Sequence, residues 1–321
     1  MTRPISVAIA ACSFLLLVSA CVAAGQRTEP PPGKSPTLAS CDVFPPDHIW
    51  NRTVTDLPVH ADSDTWVDTI GRARTVHPDF GSGLWEGSPI GIPYTTVGSS
   101  QAKVEVDFYY PDESDPGPYP LHADVPVEGG GDRHALVVDT DACVLYEVFD
   151  VSYENGQWYG GSGAVFDLGG YELRPAGWTS ADAAGLPIVP GLVRYEEVEA
   201  GVIEHAIRFT APQTRNQYVW PARHQASNRS GAEYPPLGQR FRLKADVDVS
   251  GFSDQARVVA EALKTYGMML ADNGSAWYLS GAPDERWDND ALRDLKSLTG
   301  DDFEAVDVSG LMIDPDSGRS L

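Results

Sequence analysis

The sequence predicts a mostly β fold: one β-sandwich or jelly-roll-like domain with long loops and about three short helices. Short segments with apolar residues at every second position recur along the chain, and the regular strand–helix alternation of an α/β fold is missing. Glycine and proline are abundant, at 31 and 25 of 321 residues, which suits many turns between short strands. After Ser40 there is neither a composition break nor an internal repeat, so residues 41–321 read as a single globular unit.

Each element has a local reason. Ser63 to Arg74 places Trp66, Ile70 and Ala73 at helical spacing, with an acidic start and a basic end. A Gly-rich loop from Phe80 leads into a strand near Ile90 to Val97. Lys103 to Tyr110 alternates as a strand, and Pro111 to Gly131 follows as a long loop. His134 to Asp139 and Val144 to Phe149 form a hairpin. If residue 140 pairs with 143, Leu136 faces Glu147, and His134 and Glu147 become diagonal neighbours on one face. Trp158 to Leu168 reads as a strand, and Thr179 to Ala184 as a one-turn helix with Thr179 at its cap. Val202 to Phe209 reads as a strand with His205 among apolar residues on one face. Further β signals lie at Gln217 to Trp220 and Gln239 to Val249. Asp254 to Tyr266 is the strongest helix, with Ala256, Val259, Ala260 and Leu263 on one face. Met268 to Ala271 and Ala276 to Leu279 flank an Asp-Asn-Gly turn and predict a second hairpin, and Asn289 to Leu298 predicts a terminal helix.

The N-terminus is a targeting segment. Arg3 precedes the apolar run Ile5 to Val18, and Leu17-Val18-Ser19-Ala20-Cys21 closes it with small residues. This resembles the lipobox of bacterial lipoproteins. The resemblance implies a signal peptide over 1–20, a lipid on Cys21, and an exported protein held on the outer face of the cell membrane by that lipid in the bilayer. Residues 21–40 are Pro-rich and polar and read as a disordered tether. Of four cysteines, two fall in the signal; outside the cytoplasm the remaining pair, Cys41 and Cys143, predicts a disulfide.

Charge narrows the partners. Asp plus Glu number 46 against 23 Lys plus Arg, a net charge of -23, which excludes nucleic acid as a partner. The phrases G-W-T-S-A-D-A-A-G-L-P at 177–187, Y-V-W-P-A-R-H at 218–224 and L-A-D-N-G-S at 270–275 resemble a group of secreted bacterial proteins of no assigned activity. That resemblance implies one exported domain and transfers no site residues.

The long loop from Arg174 into the strand at Val202 marks the expected site region. There is no G-x-S-x-G elbow, and Ser162 lacks the context of one. His134, His205 and His224 show no H-E-x-x-H or H-x-H spacing, so neither a metal nor another cofactor is expected. Paired carboxylates are the remaining chemistry. Glu147, flanked by Leu145 and Phe149, could be a protonated acid, with Asp182, Glu128 or Asp132 as its partner. His134, His205, Arg208, Trp178 and His224 are expected to line the cleft and hold ligand. The resulting expectation is an envelope-anchored carbohydrate-active enzyme; the alternatives are a non-catalytic glycan- or peptide-binding lipoprotein and a structural envelope lipoprotein.

Overall fold

The computed structural model describes residues 35–321, together with Met1. Cys21, the signal and most of the tether lie outside the described residues. The fold is mostly β with a few short helices. Residues 35–321 form one unit.

Two larger sheets share the main core. One has four strands in the order Gly163–Asp167, Val144–Val148, Ala135–Asp139, Tyr94–Val97. The other has six, in the order Phe303–Ala305, Arg240–Leu243, Met268–Asn273, Ile207–Ala211, Tyr278–Ser280, His77–Asp79. Leu136, Val138, Leu145 and Phe166 from the first pack in one cluster with Ile207, Phe209, Phe241 and Leu270 from the second. The alternate residues Ala135, Val137, Tyr146 and Val148 point the other way, into a second cluster with Val106, Tyr119 and Trp158. The four-stranded sheet is therefore covered on both faces, which is why its central strand Ala135–Asp139 is buried at every position. A three-stranded sheet, Ser152–Glu154, Gln157–Gly160 and Val106–Phe108, supplies part of that second cover.

The hairpin register follows the expectation: Leu136 stands opposite Glu147 and Asp139 opposite Val144. Because Leu145 faces the main core, Glu147 two residues on faces it too. Helix Asp254–Thr265 buries Ala256, Val259, Ala260 and Leu263. Helix Ser63–Ile70 buries Trp66, Val67 and Ile70. The terminal helical segment runs as an α-turn at Asn289–Leu292 and a 3-10 turn at Arg293–Ser297.

Five local expectations need correcting, the first being Gln217 to Trp220, which holds only an isolated bridge from Tyr218 to Leu237 and no strand. Met268–Asn273 and Tyr278–Ser280 do not pair as a hairpin; strand Ile207–Ala211 lies between them, parallel to the first and antiparallel to the second. The span 158–168 is two strands in different sheets, broken at Gly161-Ser162. The strand expected from Val202 begins only at Ile207, because helix Tyr195–Ala200 and a turn at Gly201 occupy the approach. Thr179 to Ala184 is a turn, not a helix: the Ser180 hydroxyl accepts the Asp182 amide at 2.9 Å and donates to the Leu186 carbonyl at 2.6 Å, competing with helical bonding.

Cys41 and Cys143 are joined across 102 residues of sequence, tying the start of the domain to the tip of the central hairpin. Replacing both cysteines by serine should lower unfolding stability by about 4–5 kcal/mol through loop entropy, read by urea denaturation under oxidising conditions.

Candidate functional site

A cavity of about 370 Å³ opens beside the turn at Thr179–Ala183. Its walls include Glu113, Asp132, Phe149, Asp182, His224 and Asp272, with Tyr110 and the hydroxyl residues Ser162, Thr179 and Ser180. Phe149 comes from the end of the hairpin, Asp272 from the six-stranded sheet, Glu113 from the 3-10 turn Pro111–Glu113, and Asp132 and Asp182 from loops.

Arg208 organises its inner side. It lies on strand Ile207–Ala211 and is buried. Its Nε and Nη2 donate to the two Asp182 oxygens at 2.9 and 3.0 Å, a bidentate pair. Nη1 donates to the Ser280 hydroxyl at 2.7 Å, and Nη2 also reaches Asp272 Oδ2 at 3.3 Å. Asp182 and Asp272 are thus held by one guanidinium. Burial alone would lower the Arg208 pKa, but the Asp182 charge and hydrogen bonds outweigh it and raise it. Asp272 sits on the strand parallel to that of Arg208. Burial, reinforced by the neighbouring Asp182 charge and opposed by Arg208, pushes the Asp272 carboxyl up to about 7 from its ordinary 3.8.

The other expected site residues are placed differently. Glu147 is completely enclosed and is not part of the cavity wall. The Ile188 amide donates to both its oxygens at 2.9 Å and the Val189 amide to Oε1 at 2.9 Å. Burial pushes its carboxyl up to about 7, and these amide bonds act against the rise. Its geometry is that of an anchor for the loop at 186–190. His134 is buried; its Nδ1 meets Glu128 Oε2, and its Nε2 donates to the Ala181 carbonyl at 2.9 Å. Burial would lower the His134 pKa, but the Glu128 hydrogen bond and charge raise it overall. The pair therefore supports the turn carrying Ala181 and Asp182 from below.

His205 belongs to a separate buried group. It donates to its neighbour's carbonyl, Ala206 O, at 2.8 Å and meets Glu197 Oε2 at 3.2 Å, while Arg194 also pairs with Glu197. Burial would raise the Glu197 carboxyl, but Arg194 and His205 hold it below the usual range. The strand predicted through His205 begins beyond it, so its side chain does not reach the cavity wall. Trp178 is half-buried, with the Arg174 guanidinium over its ring at 5.5 Å, and is likewise not a wall residue. Its carbonyl packs against Gly185, where φ is +68° and a Cβ would stand 2.5 Å from that oxygen. Only glycine fits there, which fixes the sharp return of the loop. His224 does line the cavity; its Nδ1 donates to the Ala183 carbonyl at 2.8 Å.

The structure thus brings Asp182, Arg208 and His224 to one place, puts Glu147 and the Glu128–His134 pair behind the loop, and sets His205 apart. Asp272, Glu113, Tyr110 and Phe149 are the wall residues that sequence reasoning missed. Asp272 is satisfied as a turn former in Asp-Asn-Gly, and nothing local signals that Arg208 lies beside it. Among the described residues no cluster of three or more His, Cys, Asp or Glu side chains is arranged to hold a metal ion. Comparison with protein-family models, curated proteins and solved structures gave no match.

Two outcomes follow. Arg208→Ala leaves Asp182 buried without its cation and should cost roughly 3–5 kcal/mol in denaturant unfolding. Asp272 has a folded pKa above its unfolded one, so its contribution is fully present below the unfolded 3.8 and is lost as pH rises through about 7. Asp272→Asn should therefore gain stability relative to the parent chain between pH 5 and 9, both values being assay conditions set about two units to either side of neutrality. A constant difference across that range would contradict the assignment.

Proposed function

We propose that this protein is an exported, envelope-anchored carbohydrate-active enzyme that cleaves glycosidic bonds in the cavity beside Asp272. The observation carrying this reading is the pair of carboxyls on Arg208. Asp272 is half-buried on the cavity wall beside Asp182, and that setting pushes its carboxyl up to about 7. A carboxyl kept neutral near another carboxylate is the arrangement that general acid catalysis on a sugar requires. The cavity volume, about 370 Å³, suits a small saccharide segment, and Tyr110 and Phe149 offer ring faces. Carboxylates of Glu113 and Asp132 accept hydrogen bonds from sugar hydroxyls.

In this reading Asp272 gives its proton to the glycosidic oxygen as the bond to the anomeric carbon breaks. Water attacks that carbon and passes a proton to Asp132, an exposed carboxylate on the cavity wall. Asp132 then releases its proton to solvent and Asp272 takes one up, which restores both groups. Glu147, Asp182 and Arg208 are positioning residues that hold the loop and tune Asp272. The signal-like start with Cys21, read as a lipid anchor in the bilayer, supplies the export part of the proposal. The Cys41–Cys143 disulfide supports it, since such bonds persist in oxidising compartments.

The test is release of reducing ends from neutral and acidic envelope and plant polysaccharides by the full-length protein. The parent chain should be active, with turnover falling as pH rises above about 7, and Asp272→Asn should lose about 100-fold or more. Glu147→Gln should act through stability more than through turnover. Binding without product would favour the non-catalytic glycan-binding reading, and full activity in Asp272→Asn would overturn the mechanism.

A further inference from the structure

A second hollow, of about 570 Å³, is lined by His77, Asp79, Trp85, Tyr278, Arg293 and Lys296 among others. It lies at the edge of the six-stranded sheet, where His77–Asp79 is the last strand. Three features set it apart from an ordinary surface dent.

The first is how Trp85 is presented. Leu84–Trp85 pairs with Ser88–Pro89 across a two-residue turn at Glu86-Gly87, with φ of +50° and +88°. Positive φ at both turn positions is the tight hairpin geometry that matches strand twist, so the tip is stiff. Its base is pinned to the helical turn at 289: Asn289 donates to the Ser82 carbonyl at 2.9 Å and accepts the Ser82 amide at 3.0 Å. Yet Trp85 is 72% exposed and Leu84 65% exposed. An indole held rigidly in water at the rim of a hollow is a ring-stacking platform.

The second is a further aromatic pair in the lining. His77 and Tyr278 stack at 4.2 Å with an interplanar angle of 21°. The third is charge. Of the lysines in the described residues, Lys103 donates to the Tyr146 hydroxyl, Lys244 to the Asp301 carbonyl and Lys264 to the Val247 carbonyl. Lys296 alone among them has no hydrogen-bond or ion-pair partner, and it faces this hollow. Arg293 is engaged only by Asp290 at 2.9 Å in an exposed pair, which solvent weakens and a ligand can displace. Among the lining residues two cations, Lys296 and Arg293, stand beside one acid, Asp79, and a ligand anion that displaces the exposed Asp290 meets both.

We propose that this groove binds an acidic polysaccharide, with a sugar ring stacked on Trp85 and its carboxylate or sulfate group paired with Lys296 and Arg293. It is a binding site distinct from the cavity at Asp272 and stands whether or not that cavity is catalytic. A neutral glycan would use the aromatics but leave the cations unused. A cationic ligand would be repelled by them.

The experiment measures binding of the full-length protein by titration calorimetry and by affinity electrophoresis. The probes are polygalacturonate, alginate, hyaluronan and heparin, with methyl-esterified polygalacturonate and dextran as uncharged counterparts. Binding is read in the Asp272→Asn background, so hydrolysis does not enter. The expected result is binding of at least one acidic polymer, weaker at high salt, and at least tenfold weaker for the uncharged polymers. Trp85→Ala should reduce that affinity about tenfold, and Lys296→Ala about fivefold with a flatter salt dependence. Both side chains are on the surface, so folding is checked by an unchanged melting temperature. Absence of binding to all four acidic polymers, equal binding to the uncharged ones, or unchanged affinity in either variant would overturn the proposal.

Discussion

The buried pair between Arg208 and Asp182 is the constraint on which the rest of the site depends. A guanidinium enclosed in protein must have its charge and donors satisfied, and Arg208 meets that demand through Asp182, Ser280 and Asp272. Those partners lie on three separate segments: a loop turn, a strand beside Arg208 on one side, and a strand beside it on the other. Satisfying one side chain therefore fixes the relative positions of all three. The same bond network sets the surroundings of Asp272 and so the protonation state that the proposed chemistry uses.

The loop that carries Asp182 is held from both sheets. Arg208 grips it from the six-stranded sheet, and Glu147 grips it from the four-stranded sheet through the Ile188 and Val189 amides. The Glu128–His134 pair adds a third tie at the Ala181 carbonyl. A loop that crosses between two sheets buries backbone groups that need partners, and here charged side chains supply them. That is the physical reason for polar residues on strand faces that otherwise read as core. The residues that looked like chemistry in the sequence are largely the frame, and Asp272, which looked like a turn, stands on the cavity wall.

What was legible in the sequence was local or covalent. The register of the 134–149 hairpin follows from a short tip and alternating strands, and it placed Leu136 opposite Glu147 as found. Helix Asp254–Thr265 was readable from its apolar face, and the disulfide from a count of two remaining cysteines. What was not legible depends on non-local pairing. Strand Ile207–Ala211 separates Met268–Asn273 from Tyr278–Ser280, and no turn signal between those two could reveal a third strand arriving from sixty residues earlier, roughly. His205 had a core histidine's pattern, and it proved to be one, closed by Glu197 rather than by a ligand. Glu147, enclosed by the loop amides, is out of reach of the cavity, and in the proposed chemistry Asp272 takes the place of proton donor.

The most direct test of this account is the titration of the Asp272 carboxyl, followed by carbon NMR of selectively labelled aspartate, with the resonance assigned by its loss in the asparagine variant. The account predicts a midpoint near 7 in the parent chain and a clear fall when Asp182 is replaced by asparagine, because burial and the Asp182 charge both raise it. A midpoint at the ordinary aspartate value of 3.8, unmoved by that replacement, would contradict it.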